Sequence, residues 1–190
     1  MTTLDTPDPS PLGSPTPTPT LAAGSTLPRG FESHVFERRF EIDRPFEAVW
    51  AWLMRPETFT EGQPWPWRVE FLDTPMPDGS VARGFDVGTR NAHHGPFMNF
   101  CGRISRVESG ADSAVRDLEY GYGAYALGFR LIRPTLLRIS ASRVDDGRTE
   151  VVVRIESAVR SWMAGPWTVA QRCFWPSFGW WMRRGVPRSR

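Results

Sequence analysis

The sequence predicts an α+β domain in which helices lie on one side of a meandering antiparallel sheet. Three observations carry this. A strand-like alternation at residues 33 to 42 runs directly into a proline-initiated helix, six β-rich segments follow between residues 66 and 159, and residues 161 to 184 return to helical spacing.

In the first strand, "SHVFERRFEI" places His34, Phe36, Arg38, Phe40 and Ile42 on one face and Val35, Glu37, Arg39 and Glu41 on the other. Asp43 is then placed to cap a helix that takes Pro45 into its first turn, with Phe46, Val49, Trp50 and Leu53 as its apolar stripe. A short second helix covers "PETFTEG", with Pro56 in its first turn and Gly62 at its exit. Strands are expected at 66 to 72, 84 to 92, 97 to 107, 115 to 122, 126 to 143 with a break at Pro134, and 149 to 159. "PDGS", "HHGP", "ESGADS" and "DDGR" mark reversals, because Gly, Asp and Ser tolerate tight turns. In the closing helix Trp167, Ala170, Phe174, Phe178 and Trp181 recur three or four apart, whereas Trp175 and Trp180 fall elsewhere. Pro176 removes a backbone donor and is expected to kink or divide that helix.

Residues 1 to 31 are rich in Pro, Thr and Ser and cannot bury enough apolar surface to offset ordering entropy, so a disordered tail is expected. Its "PTPTPT" is read as a spacer, with a polyproline ligand as the alternative. The domain proper is expected over 32 to 186, and 187 to 190 form a short basic tail.

At 190 residues the chain suits one domain with a real core, and 40% hydrophobic content with nine tryptophans suits a folded protein. A formal charge of +2 does not point to nucleic acid. All 23 basic residues are arginine, so Schiff-base chemistry, pyridoxal-phosphate anchoring and a P-loop lysine are excluded for want of a primary amine. Cys101 and Cys173 lack metal-ligand spacing and are expected to be small buried hydrophobes. No secretion signal is read at the N-terminus, so a cytoplasmic location is the default. Neither a metal nor a cofactor is expected.

"FERRFEIDRPFEAVWAWLMRPETF" is similar to the opening strand and Pro-initiated helix of the START and Bet v 1-like superfamily, also called SRPBCC, which includes polyketide cyclase/dehydratase-like proteins. "FCGRISRVE" resembles its Gly-containing mid-sheet strand. The resemblance implies a helix-grip fold: a curved antiparallel sheet of six to seven strands wrapped around the C-terminal helix, with an apolar cavity between them. Members bind lipids, sterols, hormones and polyketides, and some catalyse cyclisation, dehydration or hydrolysis in the cavity.

The candidate ligand-binding residues are Trp67, Arg90, His94, Phe100, Tyr120, Tyr122, Trp167, Phe174 and Phe178. Leu118, Tyr120 and Tyr122 share one strand face, where phenols would offer hydrogen bonds to an otherwise apolar ligand or would simply pack in the sheet. Asp117 and Glu119 alternate onto the other face and read as solvated. His93 and His94 are adjacent in an extended segment, point to opposite faces and do not chelate one metal together; a Cys101–histidine nucleophile is a further option that no spacing supports. Trp65 and Trp67 either gate the cavity mouth or cover the core edge.

The expected function is binding of a small or medium hydrophobic ligand such as a lipid or polyketide. The alternatives are a cyclase/dehydratase-type enzyme using Tyr and His as acid and base with Arg90 steadying an enolate, or a peripheral membrane lipid-handling protein. Weak membrane-surface contact would come from the C-terminal aromatics and the arginines at 183, 184, 188 and 190.

Overall fold

A computed structural model describes residues 27–62, 68–95, 99–123 and 130–188, with the backbone alone for Tyr122 and Gly123. Most of the expected tail, and Trp65, Trp67 and Tyr125, lie outside the described residues.

Strand β1 (Phe31–Ile42) leads into α1 (Phe46–Leu53) and α2 (Pro56–Thr60). Then come β2 (Arg68–Leu72), the two-residue strands β3 (Thr74–Pro75) and β4 (Val81–Ala82), and β5 (Arg90–His94). Long strands β6 (Asn99–Ser109), β7 (Ser113–Gly123), β8 (Ile132–Asp145) and β9 (Arg148–Arg160) follow. A 3-10 turn (Ser161–Met163) precedes the closing helix, α3 (Ala164–Gly185). Seven strands form one antiparallel sheet in the order β1-β9-β8-β7-β6-β5-β2. This is the α+β arrangement that the order of elements predicts, in the helix-grip form that the family resemblance implies.

The ladder is broken at Cys101/Gly102 and Ile104/Arg106 in β6 and at Pro134/Leu136 in β8. Such bulges bend a sheet and increase its twist, which suits a sheet that must curve. Pro134 therefore marks a bulge inside one continuous strand, where a residue without an N–H is tolerated, and not the expected break.

Inside the curve, Phe40, Phe46, Val49, Trp52, Leu53, Val151, Val153, Phe178 and Met182 form the core. Trp52 meets Trp181 edge-on with ring centroids 5.0 Å apart, and Phe40 meets Phe178 at 6.1 Å. The helix approaches β1 closely because Gly179 faces Phe40; a Cβ there would lie 2.5 Å from the ring.

Four expectations are corrected. The N-cap of α1 is Pro45 and no side chain caps it, so Asp43 does not. Residues 83 to 89 are turn rather than strand: Gly84 and Gly88 have φ of 53° and 102°, and Asp86 accepts from the Arg83 N–H at 3.0 Å. Pro176 does not divide α3, which runs unbroken for 22 residues with Trp175 and Phe178 buried on either side of the exposed proline. Finally, Asp117 is buried at 5% exposure and bonded by both guanidinium arms of Arg138 at 2.7 and 2.6 Å, so it is no solvated carboxylate.

Candidate functional site

Between the concave sheet face and α3 lies a cavity of about 780 Å³. Strand periodicity decides what it meets. In β7, Arg116, Leu118 and Tyr120 share parity and all line it; across the ladder, Leu118 faces Ile104 on one side and Leu137 on the other. Phe71, Phe85 and Phe100 close the sheet side, and Trp167, Phe174, Phe178 and Trp181 line it from α3.

Polar groups are few, and three of them act on one another. His93 stands edge-on to Tyr120 at 5.8 Å, and Phe100 packs against the same Tyr120 ring at 5.6 Å. Burial, with lesser contributions from the Arg116 and His94 charges, pulls the His93 imidazole down to about 4, so it is neutral at physiological pH. Burial pushes the Tyr120 phenol above its ordinary range, partly opposed by Arg116, so it remains a hydrogen-bond donor. Arg116 is 5% exposed and donates from Nη1 to the Leu53 carbonyl at 2.6 Å. Its guanidinium carbon lies 3.8 Å from the Phe85 ring centroid and 5.2 Å from that of Phe59. Burial lowers Arg116 to about 9, which leaves it cationic at neutral pH.

At the start of α3, Trp167 Nε1 is buried and finds no hydrogen-bond partner among the described residues, and the Ser157 hydroxyl is in the same condition. Nearby, His34 Nε2 and Thr168 Oγ1 are 2.7 Å apart, and burial lowers the His34 pKa against the opposing charge of Glu32.

Of the residues expected at the site, Phe100, Tyr120, Trp167, Phe174 and Phe178 line the cavity. His94 lines its edge and lies 3.4 Å from Glu70, which engages Arg68 at 2.6 Å. Arg90 is a correction: it is exposed and outside the lining, at the opposite end of β5 from His94, the residue of its parity that meets the cavity. Trp67 and the Tyr122 side chain lie outside the described residues.

The helix face is corrected too. Trp175 is buried, whereas Phe174 is 40% exposed and reaches only the cavity margin. Cys173 is exposed and Cys101 partly buried; Cys101 pairs in register with Ala92 while His93 pairs with Phe100, so the two side chains leave opposite faces of the sheet. Sequence reasoning weighed His93 but chose its neighbour His94 for the site, and it missed Arg116. The signal for Arg116 was its parity with Leu118 and Tyr120.

No protein-family model matches the chain, and no curated protein matches it by sequence. Solved structures do. A hypothetical protein from Helicobacter pylori aligns with TM-score 0.54 at 10% identity, over 82% of this chain and 86% of that one. The Zhui aromatase/cyclase from a Streptomyces species aligns at 0.53 and 12% identity, over 82% and 92%. A norcoclaurine synthase point mutant from Thalictrum flavum, solved with a transition-state analogue, aligns at 0.51 and 11% identity, over 82% and 92%. The chain thus shares the helix-grip fold of these solved structures. Such a fold hosts many chemistries, so function rests on the site itself.

Proposed function

We propose that this protein binds a small or medium apolar ligand, such as a lipid or polyketide-like metabolite, between its sheet and α3. The observation that carries the reading is the cavity of about 780 Å³, walled mainly by aromatic and aliphatic side chains with a few convergent polar groups. Affinity would come chiefly from apolar burial, at about 25 cal/mol per Å² before association costs. Trp167 Nε1 and the Tyr120 hydroxyl would orient the ligand by hydrogen bonds. Titration with the neutral fluorophore phenylnaphthylamine should give saturable binding at one site per chain, and native mass spectrometry should detect the complex. No saturable binding by either measurement would overturn the reading.

A second reading, proton-transfer chemistry in the same cavity, is favoured by the His93, Tyr120 and Arg116 group. With its pKa pulled down to about 4, the His93 imidazole is a weak base and suits hydrogen-bond donation to a carbonyl, beside the Tyr120 phenol, while the Arg116 cation steadies an enolate. In this reading the enolate-steadying role expected of Arg90 falls to Arg116, since Arg90 lies outside the cavity.

Contact with a membrane surface is a weaker proposal, carried by Trp180 at 57% exposure with Arg184 lying 4.5 Å over its ring. Among the described residues no helix is long and apolar enough to cross a bilayer. Co-sedimentation with anionic vesicles, lost on Trp180→Ala, tests it.

A further inference from the structure

We propose that the ligand of this cavity is an amphipathic acid, an apolar body carrying one anionic group that docks on Arg116. The inference rests on the cavity-binding reading and adds the chemistry of the head group.

Arg116 and Arg154 are buried in the sheet and Arg138 is partly so, and their partners differ. Arg138 is bonded by Asp117 through two contacts, and Arg154 is paired with Glu156 at 2.9 Å. Arg116 lines the cavity, yet among the described residues no carboxylate forms an ion pair with it. Its recorded neighbours are the Leu53 carbonyl and the faces of Phe85 and Phe59. Ring faces attract a cation, but they offer no oxygen acceptor for the guanidinium fork. A buried charge without a counter-ion is costly, and a carboxylate-like group would supply both opposite charge and acceptor atoms in matching geometry.

The surroundings favour an anion as well. Among the described residues no Asp or Glu lines the cavity to repel an anion, and Tyr120 stays a protonated donor. The rest of the wall is apolar enough to hold a hydrocarbon or aromatic body. Arg116 itself is held in place from behind by Leu53, so the site is preorganised rather than assembled on binding.

Two fluorophores with the same ring system separate the head group from the body: neutral phenylnaphthylamine and anionic anilinonaphthalene sulfonate. In Arg116→Gln, which keeps a donor for the Leu53 carbonyl, the ratio of the two affinities should move about tenfold towards the neutral probe, while Arg116→Lys should hold it near wild type. An unchanged ratio in Arg116→Gln, with the neutral probe still bound, overturns this inference and leaves the cavity reading standing. Absence of neutral-probe binding overturns the cavity reading first. A test that needs no variant is displacement of phenylnaphthylamine from the wild-type chain. Decanoate should displace it at lower concentration than decanol, although the alcohol is the more apolar; the reverse order counts against Arg116 as an anion receptor.

Discussion

Protonating His93 opposes folding, because the charge would form inside an apolar wall and close to the Arg116 cation. Its pKa of about 4 in the folded chain lies below the ordinary 6.5, so between those values the unfolded chain binds the proton and the folded one does not. The associated stability is complete above pH 6.5 and is lost as pH falls towards 4, at about 1.4 kcal/mol per pH unit within that window. Between pH 7 and pH 5 the loss should be roughly 2 kcal/mol. His93→Phe, which keeps a ring beside Tyr120 and Phe100, should remove most of that pH dependence. Urea midpoints at the two pH values give the comparison: His34, also lowered by burial, contributes to both proteins and cancels in the difference. Equal losses in wild type and variant would mean that His93 is not desolvated in the folded protein.

At the scale of elements, the join between α3 and β1 depends on a missing side chain. An added Cβ at Gly179 would meet Phe40 at 2.5 Å, whereas at Gly165 on the same helix it meets nothing within 4 Å. Gly179→Ala should therefore destabilise by about 1–3 kcal/mol through overpacking, and Gly165→Ala should be neutral or stabilise by up to about 1 kcal/mol through helix propensity. Thermal or chemical denaturation of the pair checks this; a Gly179→Ala protein as stable as Gly165→Ala would show that the contact yields without cost. The same helix shows what could be read beforehand. Phe178 was legible as a wall residue from its spacing. Trp175 was not, because the buried stripe Gln171, Trp175, Phe178 and Met182 has the same three-four spacing in a different phase and begins with a glutamine, sharing only Phe178 with the apolar stripe read from the sequence. In the sheet, the inward face of β1 followed from alternation alone. The turn over 83 to 89 did not, because its direction depends on positive φ at Gly84 and Gly88, and glycine is also admitted by a strand. Arg116 shared the parity of Leu118 and Tyr120, yet its charge argued for solvent; only the tertiary arrangement of Leu53, Phe59 and Phe85 around it makes burial tolerable.

For the whole molecule, ligand binding and fold stability are one quantity, since the cavity walls come from both ends of the chain. Phe71 and Phe85 lie early and Trp167 and Trp181 late, so the site exists only when the sheet has closed on α3. A ligand of the folded state alone should stabilise it by RT ln(1 + [L]/Kd), about 2.7 kcal/mol at a free concentration of 100 Kd. For a domain of this size that corresponds to a rise in Tm of roughly 5–10 °C. Phenylnaphthylamine at saturating concentration should produce such a rise in the wild-type chain, read by circular dichroism so that the probe's own fluorescence does not intervene. A surface site at Trp162 predicts otherwise, because an exposed side chain outside the cavity is available in folded and unfolded chains alike and binding there shifts Tm little. Saturable binding with no rise in Tm would therefore move the ligand from the cavity to an exposed aromatic such as Trp162.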